Sequence, residues 1–135
     1  MDRTLILVKP DAYGRGLTGE IIARFERKGL RICALKRMEV SRQIAERHYE
    51  EHEGKPFYEP LVEFLTSGPV VALILEGREA VTTARRLIGE TDPIEAGPGS
   101  IRGDFGLEVQ KNLVHGSDSP ESAARETRIF FPELS

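Results

Sequence analysis

Residues 112–119, Asn-Leu-Val-His-Gly-Ser-Asp-Ser, hold the densest cluster of reactive side chains in the chain. A single imidazole, His115, follows two apolar residues at a predicted strand end, and a turn-prone cluster of hydroxyls and a carboxylate follows at once. Histidine is largely neutral near pH 7 yet basic enough to attack phosphorus. A phosphorylated imidazole keeps a reactive P–N bond, so the group can be handed on. Glu126 lies seven residues into the predicted last helix. Folding that helix back over the strand could bring the carboxylate to the ring, where accepting the proton of one nitrogen would free the other. Two cations sit where such chemistry would use them. Lys9 follows the first strand, either as a solvated strand-end lysine or as a phosphate ligand. Arg102 lies in a glycine-rich stretch and suits charge neutralisation on phosphate oxygens.

The elements that must position these groups follow from periodicity. Residues 4–8 (TLILV) form a short apolar strand stopped by Lys9-Pro10-Asp11, and Pro10 with Gly14 and Gly16 makes the next segment a loop. Leu17, Ile21 and Phe25 mark one helix face, closed by Gly29. A strand is predicted over 32–40, and Ser41 caps a short helix running towards Tyr49. A second short helix covers 58–65, an apolar strand 70–75 and a helix 78–88. Residues 91–106, with four glycines and two prolines, read as a long irregular loop, which in so small a domain is usually functional. A brief strand is predicted at 113–115, and Pro120 opens the last helix. The order β-α-β-(α-α)-β-α-β-α fits an α/β (α+β) ferredoxin-like βαββαβ sandwich: a four-stranded antiparallel sheet with additional helices. In that arrangement one sheet face is covered by helices, and the other is expected to need a partner surface.

At 135 residues the chain is read as one domain, residues 1–135, large enough to bury roughly two thirds of its unfolded surface. A net charge of −3 and pI of about 5.7 argue against a broad nucleic-acid surface, for which a pI above ~9 is usual. The single cysteine, Cys33, cannot form an intrachain disulfide, which fits a reducing, cytoplasmic compartment. The apolar runs are too short to span a membrane, and Met1 to Thr4 lead straight into a strand pattern with no signal peptide expected. There is no Gly-x-x-x-x-Gly-Lys-Ser/Thr loop, since Gly54-Lys55 is followed by Pro56, so phosphate recognition would not be of that kind. Arg85 and Arg86 end a helix, where either could complement the helix dipole or bind phosphate, and Thr91 could donate its hydroxyl to phosphate or shape the turn. His48 and His52, four apart, could hold a metal on a helix, but Tyr49 stands where a metalloprotease pattern needs Glu. Tyr49 and Phe57 read as core residues or, in a cleft, as a hydroxyl for phosphate and a face for a base.

Taken together these residues resemble the nucleoside diphosphate kinase family over nearly the whole chain. The resemblance is carried by Asn-x-x-His-Gly-Ser-Asp at 112–118, Val-Lys-Pro-Asp at 8–11, Ser-Gly-Pro-Val-Val-Ala at 67–72, Gly-Glu-Thr-Asp-Pro at 89–93 and Ile-Arg-Gly-Asp-Phe at 101–105. It implies ping-pong transfer of the γ-phosphate from ATP, or another nucleoside triphosphate, to a nucleoside diphosphate through a phosphohistidine at His115. By the same resemblance Glu126 orients the imidazole, while Lys9 and Arg102 face the transferred group. Arg85, six residues before Thr91, binds with it the phosphates further away, and Asn112 contacts ribose and phosphate. Phe57 stacks the base, the Tyr49 hydroxyl lies near phosphate, and Ser117 lies close to the ring. It further implies Mg²⁺ held mainly by nucleotide phosphates, no dedicated protein metal site, and a homo-oligomer, tetramer or hexamer. The alternative from the residues is a nucleotide-sensing or nucleic-acid-binding module on the same fold. Such modules stack bases on strand aromatics, and the 70–75 strand has none.

Overall fold

Apolar side chains on both sides of two central strands organise the molecule. The computed structural model describes residues 2–134. Four strands, β1 (Asp2–Val8), β2 (Arg31–Met38), β3 (Val70–Gly77) and β4 (Val114–Gly116), form one sheet in the order β2-β3-β1-β4, each pair antiparallel. The helices are α1 (Pro10–Gly14), α2 (Thr18–Lys28), α3 (Arg42–His48), α4 (Tyr58–Leu65), α5 (Ala80–Ile88), α6 (Ile101–Phe105) and α7 (Pro120–Phe130). This is the expected ferredoxin-like sandwich.

The sheet is not open on one side. Ile6, Val8, Leu73 and Leu75 pack against Ile21 and Phe25 of α2 and Ala84 and Ile88 of α5. Leu5, Leu7, Ala72 and Ile74 point the other way, against Ala45 of α3, Val62 and Leu65 of α4, and Ile129 and Phe130 of α7. The expected bare face is therefore filled from within the chain, by the two helices between β2 and β3 and by the last helix. The reason is energetic: a Leu or Ile contributes about 1.5–3 kcal/mol when fully buried, and β1 and β3 carry such residues on both sides.

Two further expectations change. The segment after Lys9 is helical, α1, because Pro10 at the first position pre-sets φ and lacks the amide a helix start would leave unpaired. The glycine-rich loop contains α6, capped by Ser100, whose hydroxyl accepts from the Gly103 amide at 3.0 Å. Gly103 is required there: a Cβ would stand 2.1 Å from the Gly97 carbonyl oxygen. The predicted cap of α3, Ser41, accepts from the Ile44 amide at 3.2 Å, and α7 is capped by Ser119, which accepts from the Ser122 amide at 3.0 Å.

Register sets the site. His115 lies opposite Leu7, so its side chain emerges on the face covered by α3, α4 and α7. Gly116, opposite Ile6, faces α5, where a Cβ would meet Ile88 Cδ1 at 2.7 Å. A larger residue there would push α5 away from the strand that carries the imidazole.

Candidate functional site

Because β4 and α7 are joined by a short turn, the helix folds back over the strand and brings Glu126 to His115. The ring Nε2 lies 2.8 Å from Glu126 Oε1, and the buried Ser117 hydroxyl donates to the same oxygen at 2.7 Å. Ser117 is itself fixed across the sheet, accepting from the Leu5 amide at 3.2 Å. Burial raises the Glu126 carboxyl pKa, but the bonds from His115 and Ser117 and the nearby His48 outweigh it and hold the group below its ordinary value. Glu126 is therefore ionised, its Oε1 accepts the Nε2 proton, and Nδ1 carries the lone pair. Among the described residues Nδ1 makes no hydrogen bond, and the ring borders a cleft of about 330 Å³.

The floor of that cleft is built from buried cations, one held by a side-chain amide and one by backbone carbonyls. Lys9 Nζ, 8% exposed, donates to Asn112 Oδ1 at 2.8 Å. Burial, reinforced by the neighbouring Arg102 charge, pulls the Lys9 ammonium down to about 8. Arg102 is also buried, and its pKa falls to about 10 for the same reason, with the like charge of Arg85 adding to the effect. Its guanidinium donates to the carbonyls of Asn112 (3.1 Å), Gly89 (3.3 Å) and Val114 (2.7 Å), tying α6 and the loop before it to β4. Three of its five N–H donors are so used, which leaves two for a ligand.

Leu113, two residues before the imidazole, has φ 78°, a left-handed conformation that costs a side-chain-bearing residue of order 1 kcal/mol. It is held at both ends by the segment after β1. Its amide donates to Asp11 Oδ2 at 3.1 Å, and its carbonyl accepts from the Lys9 amide at 2.9 Å. Asp11 thus sets the backbone that aims His115, a task that the sequence reading did not give it. The signal was its place next to Lys9 in a motif already singled out.

The rim is looser. Arg85 borders the cleft and donates to the Gly116 carbonyl at 3.0 Å, whereas Arg86 does not line it. Thr91 lines the cleft, and its carbonyl accepts from Asn112 Nδ2 at 3.4 Å. Tyr49 lines it too, and burial holds its phenol pKa well above the ordinary value. Phe57 does not line the cleft. It is 43% exposed, edge-on to the His52 ring at 5.1 Å, with Lys55 over its face. His48 and His52 do not converge either: among the described residues the grouped metal-capable donors are His48, His115 and Glu126, within 4.8 Å of one another. Two larger concavities, about 640 and 790 Å³, run along α5 and lack the imidazole and the buried lysine. The 330 Å³ cleft is smaller and holds the convergent polar groups, which decides between them.

A carboxylate-oriented imidazole facing buried cations defines a site that can take up and release an anionic group, here on a sheet with no exposed stacking face. A sequence model of nucleoside diphosphate kinase matches residues 2–135. A nucleoside diphosphate kinase of Saccharopolyspora erythraea is 62% identical over 134 residues, covering 98% of each chain. One of Carboxydothermus hydrogenoformans is 58% identical over 133 residues, covering 98% of this chain and 89% of its own. Among solved structures, the nucleoside diphosphate kinase of Halobacterium salinarum in complex with CDP superimposes with a TM-score of 0.94 at 47% identity, covering 96% and 87% of the two chains. The apo enzyme of Encephalitozoon cuniculi gives 0.95 at 44%, covering 97% and 89%. The chain belongs to the nucleoside diphosphate kinase family, a family of phosphotransferases.

Proposed function

We propose that this chain moves the γ-phosphoryl group of a nucleoside triphosphate to a nucleoside diphosphate through His115. The observation that carries the reading is the 2.8 Å contact of His115 Nε2 with Glu126, which leaves Nδ1 as the free base on the cleft side. In the first half-reaction the Nδ1 lone pair attacks the γ-phosphorus. The P–N bond forms, the bond from phosphorus to the β-bridging oxygen breaks, and the diphosphate leaves with that electron pair. A second diphosphate then attacks the phosphohistidine in reverse. Glu126 stabilises the positive charge that the ring acquires. Lys9 and Arg102 neutralise charge on the transferred oxygens, with Arg85 and Thr91 on the phosphates further out. Asn112 and Tyr49 supply an amide and a hydroxyl to ribose and phosphate. Phe57, exposed beyond the cleft lining, offers a π-face that any base can use, so base selectivity is weak.

Mg²⁺ fits this cleft as an ion carried in by the nucleotide. A hard cation takes oxygen ligands, and the grouped donors here include two imidazoles, so the phosphates would hold it, with the Asp118 carboxylate, bonded to Ser122, at the cleft edge. When bound it offsets charge on the β- and γ-oxygens. The chain acts as a homo-oligomer, tetramer or hexamer, in the cytoplasm. Assembly is supported by apolar side chains left in solvent, including Leu35 on the edge strand β2 and Ile94, Leu107 and Val109 around α6. No helix among the described residues is long and apolar enough to cross a membrane. Light scattering reads the assembly.

The test of the reaction is incubation with γ-labelled ATP. The expected result is a phosphoprotein stable to base and labile to acid, discharged by added diphosphate. His115→Gln should abolish the label and lower turnover more than about a thousandfold, because the covalent route is lost. Retained transfer in that variant would end the proposal.

A further inference from the structure

The site contains one buried imidazole that the reaction as written does not use. His48 closes α3, is 5% exposed, and makes no hydrogen bond with described residues; its Nδ1 is wholly enclosed. Its ring stands perpendicular to that of His115, with centroids 4.7 Å apart and an interplanar angle of 88°. Tyr49 and Phe130 pack on it at 4.6 and 5.3 Å. An unpaired buried polar atom costs about 1–3 kcal/mol, which a phenylalanine in this aromatic nest would avoid. The nitrogen therefore has to be explained by what it faces.

It faces Glu126. His48 Nδ1 lies 4.0 Å from Oε2, the oxygen of that carboxylate that receives neither His115 nor Ser117. A lone pair pointed at a carboxylate is repelled and an N–H is attracted, so the ring must carry its proton on Nδ1. We infer that His48 is a positioning residue: a neutral, Nδ1-protonated imidazole that aims the Glu126 carboxylate at His115 and holds the reacting ring in its plane. This rests on the phosphohistidine reading given above.

The groups around His48 keep it in that form. Burial, together with the neighbouring His115 ring and the Lys9 and Arg125 charges, drives its pKa well below the ordinary value, and Glu126 alone opposes them; the Tyr49 phenol beside it is held protonated. A cation at this point would compete with His115 for Glu126. A neutral dipole steers the carboxylate without taking it away. The cleft side of His115 stays free, so the effect falls on the orientation of the nucleophile, where small misalignments lower the rate steeply.

The chain has only three histidines, so their ring nitrogens can be told apart by ¹⁵N NMR with His48→Asn and His52→Gln spectra as assignments. His48 in the unaltered enzyme should remain neutral with Nδ1 protonated when the pH is carried through the ordinary imidazole range. His48→Phe keeps the aromatic packing and removes the nitrogen. It should slow formation of the phosphoenzyme about tenfold, with nucleotide KM within about twofold, and shift the His115 Nε2–H resonance. His48→Asn, whose amide can stand where Nδ1 does, should recover most of that loss. An Nε2-protonated or titrating His48, or a His48→Phe enzyme phosphorylated at the full rate, would overturn the assignment; should the His48 variants fold poorly, His52→Gln and the phosphorylated enzyme assign the other two rings and leave His48 by difference. Failure of the phosphohistidine reading looks different: the unaltered enzyme would not label at all.

Discussion

The floor and the rim of the cleft are built on opposite principles. On the floor, Lys9, Asn112, Arg102 and Glu126 are each 5–8% exposed, and each is bound to a neighbour on another segment. At the rim Arg85 and Thr91 are exposed, beyond it Phe57 is 43% exposed, and few contacts hold any of them. The floor must present fixed charges to a phosphorus centre, and preorganised dipoles help because they need not reorient as charge develops. The rim meets the part of the nucleotide that differs between substrates. Looseness there costs little and admits more than one base.

Changes to the floor should therefore alter rate and stability together, and changes to the rim should alter binding alone. Arg102→Met is the strongest break. It removes a cation and takes a donor from three carbonyls; that of Asn112 keeps the Val114 amide, while the buried Val114 carbonyl is left unpaired, at about 1–3 kcal/mol. Thermal unfolding should move to clearly lower temperature, and kcat should fall at least about a hundredfold. Glu126→Gln keeps the shape and drops the charge that supports the imidazolium. Stopped-flow phosphorylation should slow about ten- to a hundredfold, with little change in nucleotide affinity.

Lys9 gives the comparison a pH dependence in which stability and activity diverge. Its folded value of about 8 lies below the ordinary 10.5. Between these values the unfolded chain holds a proton that the folded chain has lost, so the Lys9 contribution to stability rises with pH across that window. Activity should do the reverse. As pH passes 8 the free enzyme loses the ammonium facing the phosphate, so kcat/KM should show an alkaline limb near 8. Bound nucleotide favours the charged form, so the limb in kcat should lie higher. A pH–rate series with parallel denaturant unfolding would show the two trends separate. Phe57→Ala should have the smallest effect: loss of a stacking face worth about 1–2 kcal/mol, read as a roughly tenfold rise in KM with kcat nearly unchanged. A Phe57→Ala enzyme that loses kcat instead would erase the distinction between floor and rim.

His115 and Glu126 could be singled out in the sequence because their types are rare in combination and because Pro120 marks where the helix turns back. Asp11 and His48 could not. Asp11 acts through one bond to a backbone amide 102 positions away, and His48 through a ring that touches His115 only after α3 is laid across the sheet. No local pattern encodes either contact. The α6 helix was hidden by its glycines, which suggest irregular chain; Gly103 is there because Gly97 approaches too closely for any side chain. The covered second sheet face was missed for a related reason: β1 and β3 each carry an unbroken apolar run, and such runs do not say what lies on either side.

What the sequence determined alone is the four strands, the longer helices and the reactive groups, since these depend on neighbours within a few positions: the spacing of apolar residues, Ser41 as a cap, Pro120 at a helix start, the imidazole next to its turn. Tertiary structure decided which of those groups meet. The pairing of Leu7 with His115 chose the face on which the ring emerges, and α7 then brought a carboxylate to one nitrogen and left the other open. Burial did the rest, because the acidity of Lys9, Glu126 and His48 depends on removal from water and on charges contributed by distant segments.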